Sequence, residues 1–275
     1  MAPGVSKMMR FLLAAVLALQ CLVVQAAGFD HTIWDGLLKK HVLTLRGGQA
    51  SQLNYAGMSV DHSQLKTYLT QLSRVTRTEF DGWDKATQLA YLLNAYNAYT
   101  VELVLTGYPK VASIKDLGSF FQSPWKKAFF QLLGQARSLD DVEHGLMRGS
   151  GRYNEPRVHF AANCASIGCP ALRAQAYVGE RLDAQLEDAT QSFLSDRSRN
   201  RMEGDAMKVS SIFKWYKGDF EKGWRGADSL TGFLLLYRRS LGLTDAAATS
   251  LAADGLAIEY LDYDWRLNST AGARP

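Results

Sequence analysis

Cysteine is scarce in this 275-residue chain, with three in all, at positions 21, 164 and 169. Proline is rare as well, at six, and no Pro/Gly/Ser-rich stretch, internal repeat or low-complexity tract breaks the sequence. Without such a boundary, residues 27–275 are read as one globular domain, long enough for one large core or two small ones. An excess of one charge is missing too. Once residues 1–26 are set aside, 29 basic residues face 27 acidic ones, a net of +2. That balance gives a nucleic-acid partner no compositional support. Long apolar runs are limited to Phe11–Val24, "FLLAAVLALQCLVV", which is 14 residues and too short to span a bilayer comfortably.

That run follows Lys7 and Arg10 and precedes the small residues Val24 and Ala26, the pattern of a cleavable signal peptide cut after Ala26. Gln20 stands where a lipidated Cys21 would need a small residue before it. The expected product is periplasmic or secreted, without stable membrane insertion after cleavage. Its cysteines are then a single pair, Cys164 and Cys169.

Apolar spacing predicts a helix-rich α+β domain with a small, mostly antiparallel sheet. Residues 29–46 carry a helical stripe closed by Gly47-Gly48, and a second helix follows the capping residues Ser59, Asp61 and Ser63. The longest helix covers 83–106 and is stopped by Gly107 and Pro109. Its inner stripe, Ala86, Ala90, Leu93, Asn97, Val101 and Val104, is apolar except for Asn97. A buried amide costs about 1–3 kcal/mol unless paired, so Asn97, with Asn94 nearby, is expected to orient a neighbouring loop or group. Two short strands should turn at Gly134-Gln135. A helix beginning at Ser138 or Asp140 then places Asp140, His144 and Arg148 on one face, with Glu143 adjacent. "RVHFA" reads as a strand with Val158 and Phe160 on one face and His159 on the other. Beyond it come a helix over 180–196, a hairpin turning at Gly204-Asp205, helices near 211–217 and 228–241, and a last strand in "LAIEYLDYDWRL".

The blocks "LLNAYNAYTVELVL", "SLDDVEHGLMR", "VHFAANCASIGCPALR", "VSSIFKWYKGDF" and "YDWRLN" resemble, in order, the signature blocks of domain-of-unknown-function family 547, a bacterial and plant family. The resemblance runs from about Asp81 to Asn268. A tryptophan that the family usually carries near Tyr91 or Leu92 is absent here. The resemblance implies that Asn94, Asn97, Glu143, His144, Arg148, His159, Cys164 and Cys169 occupy family motif positions. It implies no reaction, so function is argued from the residues.

Three readings of the cysteine pair stand open. In the first, Cys164 is a nucleophile at the bend "NCASIG", and Asn163 helps to hold a developing oxyanion. No histidine follows His159, so His159, with His144 as second choice, is the base, oriented by Glu143 or by Asp262 or Asp264. Arg148 would position a substrate. Papain-type enzymes run Cys before His, so only a permuted version of that arrangement or an unrelated fold accommodates this order. The protein would then be a thiol-dependent hydrolase or acyltransferase acting on a periplasmic peptide, amide or ester, without a cofactor. In the second reading, Cys164 and Cys169 form a structural disulfide in a non-enzymatic envelope protein that binds a peptide or glycan. In the third, His159, Cys164, Cys169 and His144 bind zinc, although H-x4-C-x4-C matches no standard zinc spacing.

Overall fold

The computed structural model describes residues 28–271, so the expected signal peptide and cleavage point lie outside the described residues. Helix α1, Thr32–His41, ends where Val42 turns extended. Strand β1 (Val42–Leu45) then pairs antiparallel with β2 (Ala50–Leu53), with Leu45 opposite Ala50. The helix expected across 29–46 therefore stops early. Val42 and Thr44 are β-branched and favour extended backbone, and Arg46, Gly47 and Gly48 turn the chain at φ of 49°, 64° and 99°.

Three helices, α2 (Tyr55–Val60), α3 (His62–Arg74) and α4 (Arg77–Asp81), lead to the central helix α5 (Lys85–Leu105). Asp84 starts α5 by accepting a hydrogen bond from the Thr87 amide at 2.9 Å. Every residue of α5 from Gln88 to Val104 is buried, so the helix has no solvent face along that length. Its tyrosines reach the neighbours: the Tyr91 hydroxyl donates to the Leu72 carbonyl at 2.8 Å, and Tyr99 stacks on Phe130 at 3.8 Å. Phe130 opens strand β3 (Phe130–Leu132), which pairs with β4 (Gln135–Arg137). Their turn is Leu133-Gly134, one residue earlier than expected. Both residues have positive φ, 53° and 76°, which suits the tight turn that right-twisted strands prefer.

The helix expected after Ser138 forms as a wide π segment, Asp141–Arg148, closed by a bond from the Gly149 amide back to the His144 carbonyl at 2.8 Å. Ser138, rather than Asp140, starts it, because its hydroxyl accepts from the Asp141 amide at 3.1 Å. Helix α6 (Leu182–Ser195) follows, then the hairpin of β5 (Arg201–Glu203) and β6 (Ala206–Ser210), turning at Gly204-Asp205. The remaining helices are α7 (Ile212–Trp215), α8 (Lys217–Phe220), α9 (Leu230–Leu236) and α10 (Asp245–Ala252). They are shorter than the spans predicted around 211–217 and 228–241. Strand β7 (Ala257–Leu261) joins β6 in parallel, and residues 262–268 continue outside any strand, with Leu267 making one isolated antiparallel bridge to Ser166. The fold is helix-rich α+β with small, mostly antiparallel sheets. Among the described residues no helix is long and apolar enough to cross a membrane.

The apolar interior forms two clusters, a large one around α5 and a smaller one rich in phenylalanine (Phe160, Phe193, Phe213, Phe220 and Phe233). "RVHFA" joins them, though not as the strand expected of it. Pro156–Phe160 is a 3-10 turn, opened by Pro156 and capped by Glu155, whose carboxylate accepts from the Arg157 amide at 3.1 Å. At three residues per turn, alternate residues diverge instead of sharing a face. Val158 therefore enters the large cluster, Phe160 enters the small one, and His159 is left to face a cleft between them.

Candidate functional site: the cleft at the cysteine pair

Two amides of α5 clamp backbone on either side of the cysteines. The side-chain N–H of Asn97 donates to the Ala161 carbonyl at 3.1 Å, and its carbonyl accepts from the Asn163 amide at 2.8 Å. Asn94, one turn earlier, clamps Tyr177 in the same way, donating to its carbonyl at 2.7 Å and accepting from its amide at 3.0 Å. Both side chains are spent on backbone, and neither lines the cleft.

The bend itself is tight. Ala165 sits at φ 63°, the left-handed region that a non-glycine residue seldom occupies. Asn163 closes the bend by donating to the Pro170 carbonyl at 2.7 Å and accepting from the Ala165 amide at 2.9 Å. Its expected oxyanion role is therefore not what its amide does here; the group is buried and committed to the loop. The terminal segment holds the other side. The Ile167 and Gly168 amides donate to the Arg266 and Asp264 carbonyls, each at 2.8 Å, and the Asn268 amide donates to the Ala165 carbonyl at 3.1 Å. Gly168 is required at this point, since a Cβ there would lie 2.9 Å from the Tyr263 ring.

Cys164 and Cys169 are joined in a disulfide, with Cα atoms 6.1 Å apart. The Tyr263 hydroxyl lies 3.1 Å from each sulfur, and the Ser166 hydroxyl lies 3.3 Å from one and 3.4 Å from the other. Among the described residues neither His144 nor His159 hydrogen-bonds to Cys164. The zinc set of the third reading is likewise not assembled. The sulfurs bond to each other, and among the described residues no group of three or more His, Cys, Asp and Glu could hold a metal ion.

The disulfide, His159, His144, Glu143 and Asp140 nevertheless line one cleft of about 170 Å³, walled by Tyr96, Tyr216, Tyr263 and three tryptophans. His159 is sandwiched in it. Its ring stacks on Tyr216 at 3.9 Å, and its Nε2 lies 2.8 Å from Oδ2 of Asp219. Burial pushes the His159 imidazole below its ordinary pKa, against the opposing pull of Asp219, which leaves a neutral base at neutral pH. Burial alone would raise the Asp219 carboxyl. The hydrogen bonds from His159, Arg148 and Lys222 outweigh it and hold the group well below the usual carboxylate range.

Arg148 is thus the partner of Asp219, and its guanidinium also lies 2.6 Å from Nδ1 of His144 and over the Tyr216 ring. His144 in turn faces Asp140 at 3.6 Å, so the one-face spacing read from the sequence is realised. Burial raises the Asp140 carboxyl, with the Glu143 charge adding to it. Glu143 is buried against Tyr96 and Tyr216, whose phenols are raised by burial and by its charge. It does not orient His159. Asp219, Tyr216 and Tyr263 were not foreseen as site residues. They lie 60, 57 and 104 positions from His159, and only the clustered aromatics of "FKWYKGDF" and "YLDYDWRL" pointed toward them.

Taken together, these features define a helix-rich α+β protein with a cysteine pair beside a histidine–aspartate pair in an aromatic cleft. Residues 80–194 match the family described as protein of unknown function, DUF547. The match covers the asparagine clamps, the π segment and the cysteine loop. It stops short of Asp219, Tyr216 and Tyr263, and of the end near Asn268 expected from the motif blocks. No curated protein and no solved structure matches the chain.

Proposed function

We propose that the protein is a thiol-dependent hydrolase or acyltransferase whose disulfide form is latent. The observation that carries this reading is the shared cleft of Cys164 and the His159–Asp219 pair. Two-electron reduction by a thiol donor opens Cys164–Cys169 and leaves two thiols. Neutral His159 then takes the proton of Cys164 as its sulfur attacks an acyl carbon, and returns that proton to the leaving amine or alcohol. Water or an acceptor nucleophile releases the acyl group and restores the thiol. Asp219 holds the imidazole and stabilises its charged form, the part played by the third group of a triad. A peptide, amide or ester is the substrate class. The predicted signal peptide and the disulfide itself favour an exported, oxidising location.

The test is alkylation of Cys164 at neutral pH. Cys169→Ser frees Cys164 without reductant and is expected to react with iodoacetamide faster than an ordinary thiol; adding His159→Asn is expected to remove that advantage. A Cys164 in the Cys169→Ser protein that reacts no faster than a free peptide thiol would overturn the proposal.

A second reading, a non-enzymatic envelope protein stapled by the disulfide, is favoured by the hydroxyls of Tyr263 and Ser166 covering both sulfurs. It expects a loss of thermal stability on reduction and no acyl transfer in any redox state.

A further inference from the structure

The loop that leads into the cleft ends in two phenylalanines facing water. Phe120 and Phe121 are 96% and 94% exposed, while nearly all other aromatic side chains described are buried or partly buried. Their position is built. The Ser119 amide donates to the Gln122 carbonyl at 2.9 Å, the Gln122 amide returns a bond to the Ser119 carbonyl at 3.3 Å, and the Ser119 hydroxyl accepts from both the Phe121 and Gln122 amides. The two rings pack edge to face at 5.2 Å. The base of the turn is pinched at Gly118, where a Cβ would lie 2.8 Å from Pro124 and 2.9 Å from the Gln122 carbonyl. This is a tight two-residue tip that presents its apolar side chains outward.

The chain on either side of the tip is mostly basic. Between Gly107 and Leu139 the basic residues are Lys110, Lys115, Lys126, Lys127 and Arg137, against one acid, Asp116. Asp116 is exposed but engaged locally, accepting from the Ala112 and Ser113 amides at 2.9 Å each. All four lysines are exposed, and among the described residues none of them is ion-paired. The Lys115 ammonium lies over the Trp265 ring at 3.7 Å, and an apolar tip flanked in sequence by exposed ammonium groups matches the boundary of an anionic bilayer, where acyl chains lie just beneath negative headgroups. A convex two-residue tip offers little area to a flat protein face, and unpaired lysines gain nothing from a second copy of this basic segment.

We infer that the Ser119–Gln122 turn is a membrane-surface anchor that inserts Phe120 and Phe121 into anionic lipid. Ser123 and Trp125, directly after the turn, line the cleft, so docking sets the cleft mouth against the bilayer surface. This inference does not depend on the chemistry proposed for Cys164.

The experiment is co-sedimentation of the full mature chain with vesicles of zwitterionic phospholipid, with and without an anionic phospholipid. The wild type is expected to partition at least about tenfold better onto the anionic vesicles. Phe120→Ser/Phe121→Ser is expected to lose about tenfold or more in partition, with an unchanged melting temperature because both rings are already in water. Lys126→Gln/Lys127→Gln is expected to lose about tenfold and to flatten the dependence on salt. Equal partition of wild type and the double phenylalanine variant would overturn the inference. So would a concentration-dependent dimer, seen by sedimentation without lipid, that the same variant abolishes. Alkylation of Cys164 in lipid-free solution is expected to be the same in all these proteins, which separates failure of the anchor from failure of the thiol chemistry.

Discussion

Among the described residues, two buried histidine–aspartate pairs sit in two different neighbourhoods. Among the N-terminal helices, Nε2 of His41 meets Oδ2 of Asp61 at 2.6 Å, and Lys40 meets the same oxygen. There the ring is walled in: a Cβ on Gly57 would lie 2.7 Å from His41 Nδ1, and that nitrogen is buried without a hydrogen-bond partner. At the cleft, Nε2 of His159 meets Oδ2 of Asp219 at 2.8 Å, but the ring lies beside a disulfide, a stacked tyrosine and open volume. The pairing is nearly the same in both places. The difference teaches that a histidine–carboxylate bond does not mark a site; what stands on the ring's other side does.

The largest effect should separate the two pairs directly. In the Cys169→Ser background, His159→Asn or Asp219→Asn is expected to slow acylation of Cys164 by about 10²–10⁴-fold, the usual worth of a positioned base. His41→Asn should leave that rate within a factor of two while lowering the melting temperature. Stopped-flow reaction with a small activated ester reads both outcomes, and an equal loss from the two regions would break the comparison.

Stability should respond most at the clamp behind the cleft. Asn97→Leu leaves the Ala161 carbonyl and the Asn163 amide without their partner, at about 3 kcal/mol in urea unfolding. The N-terminal region has its own signature in pH. Burial lowers His31 from 6.5 to about 4, although Asp30 and Asp35 oppose it. Between those values the unfolded chain takes up a proton that folded His31 refuses, so stability is whole above pH 6.5 and falls as pH drops toward 4. The loss should approach about 3 kcal/mol, and His31→Gln should remove that share of the slope. The smallest effect is expected at Gly168→Ala, where the new methyl meets the Tyr263 ring. It should cost about 1–2 kcal/mol and speed reduction of the disulfide by moving the hydroxyl that covers it.

Much of the scaffold was legible because its signals are local. The stripe and stop residues of 83–106 became α5, Gly204-Asp205 turned the β5–β6 hairpin, and the spacing of Asp140, His144 and Arg148 placed them in one chain of contacts. The misreadings also have local causes. Residues 29–46 kept helical spacing while β-branched residues and two glycines made a hairpin, and the alternation in "RVHFA" was a proline-started 3-10 turn. The site was only half legible. Cys164, Cys169, His144, His159, Glu143 and Arg148 were named from type and proximity. Asp219 and Tyr263 were missed because burial and backbone routing, neither of which has a spacing rule, bring them to the cleft. Asn163 was hard to read for a related reason: an amide beside a cysteine looks the same in sequence whether it faces a substrate or, as here, ties its own loop.

The most direct measurement is mass spectrometry of the reduced protein after brief exposure to an activated acyl ester at neutral pH. One acyl group is expected, on Cys164, absent from His159→Asn and not found on Cys169. Slow, equal modification of both thiols, unaffected by the loss of His159, would contradict it.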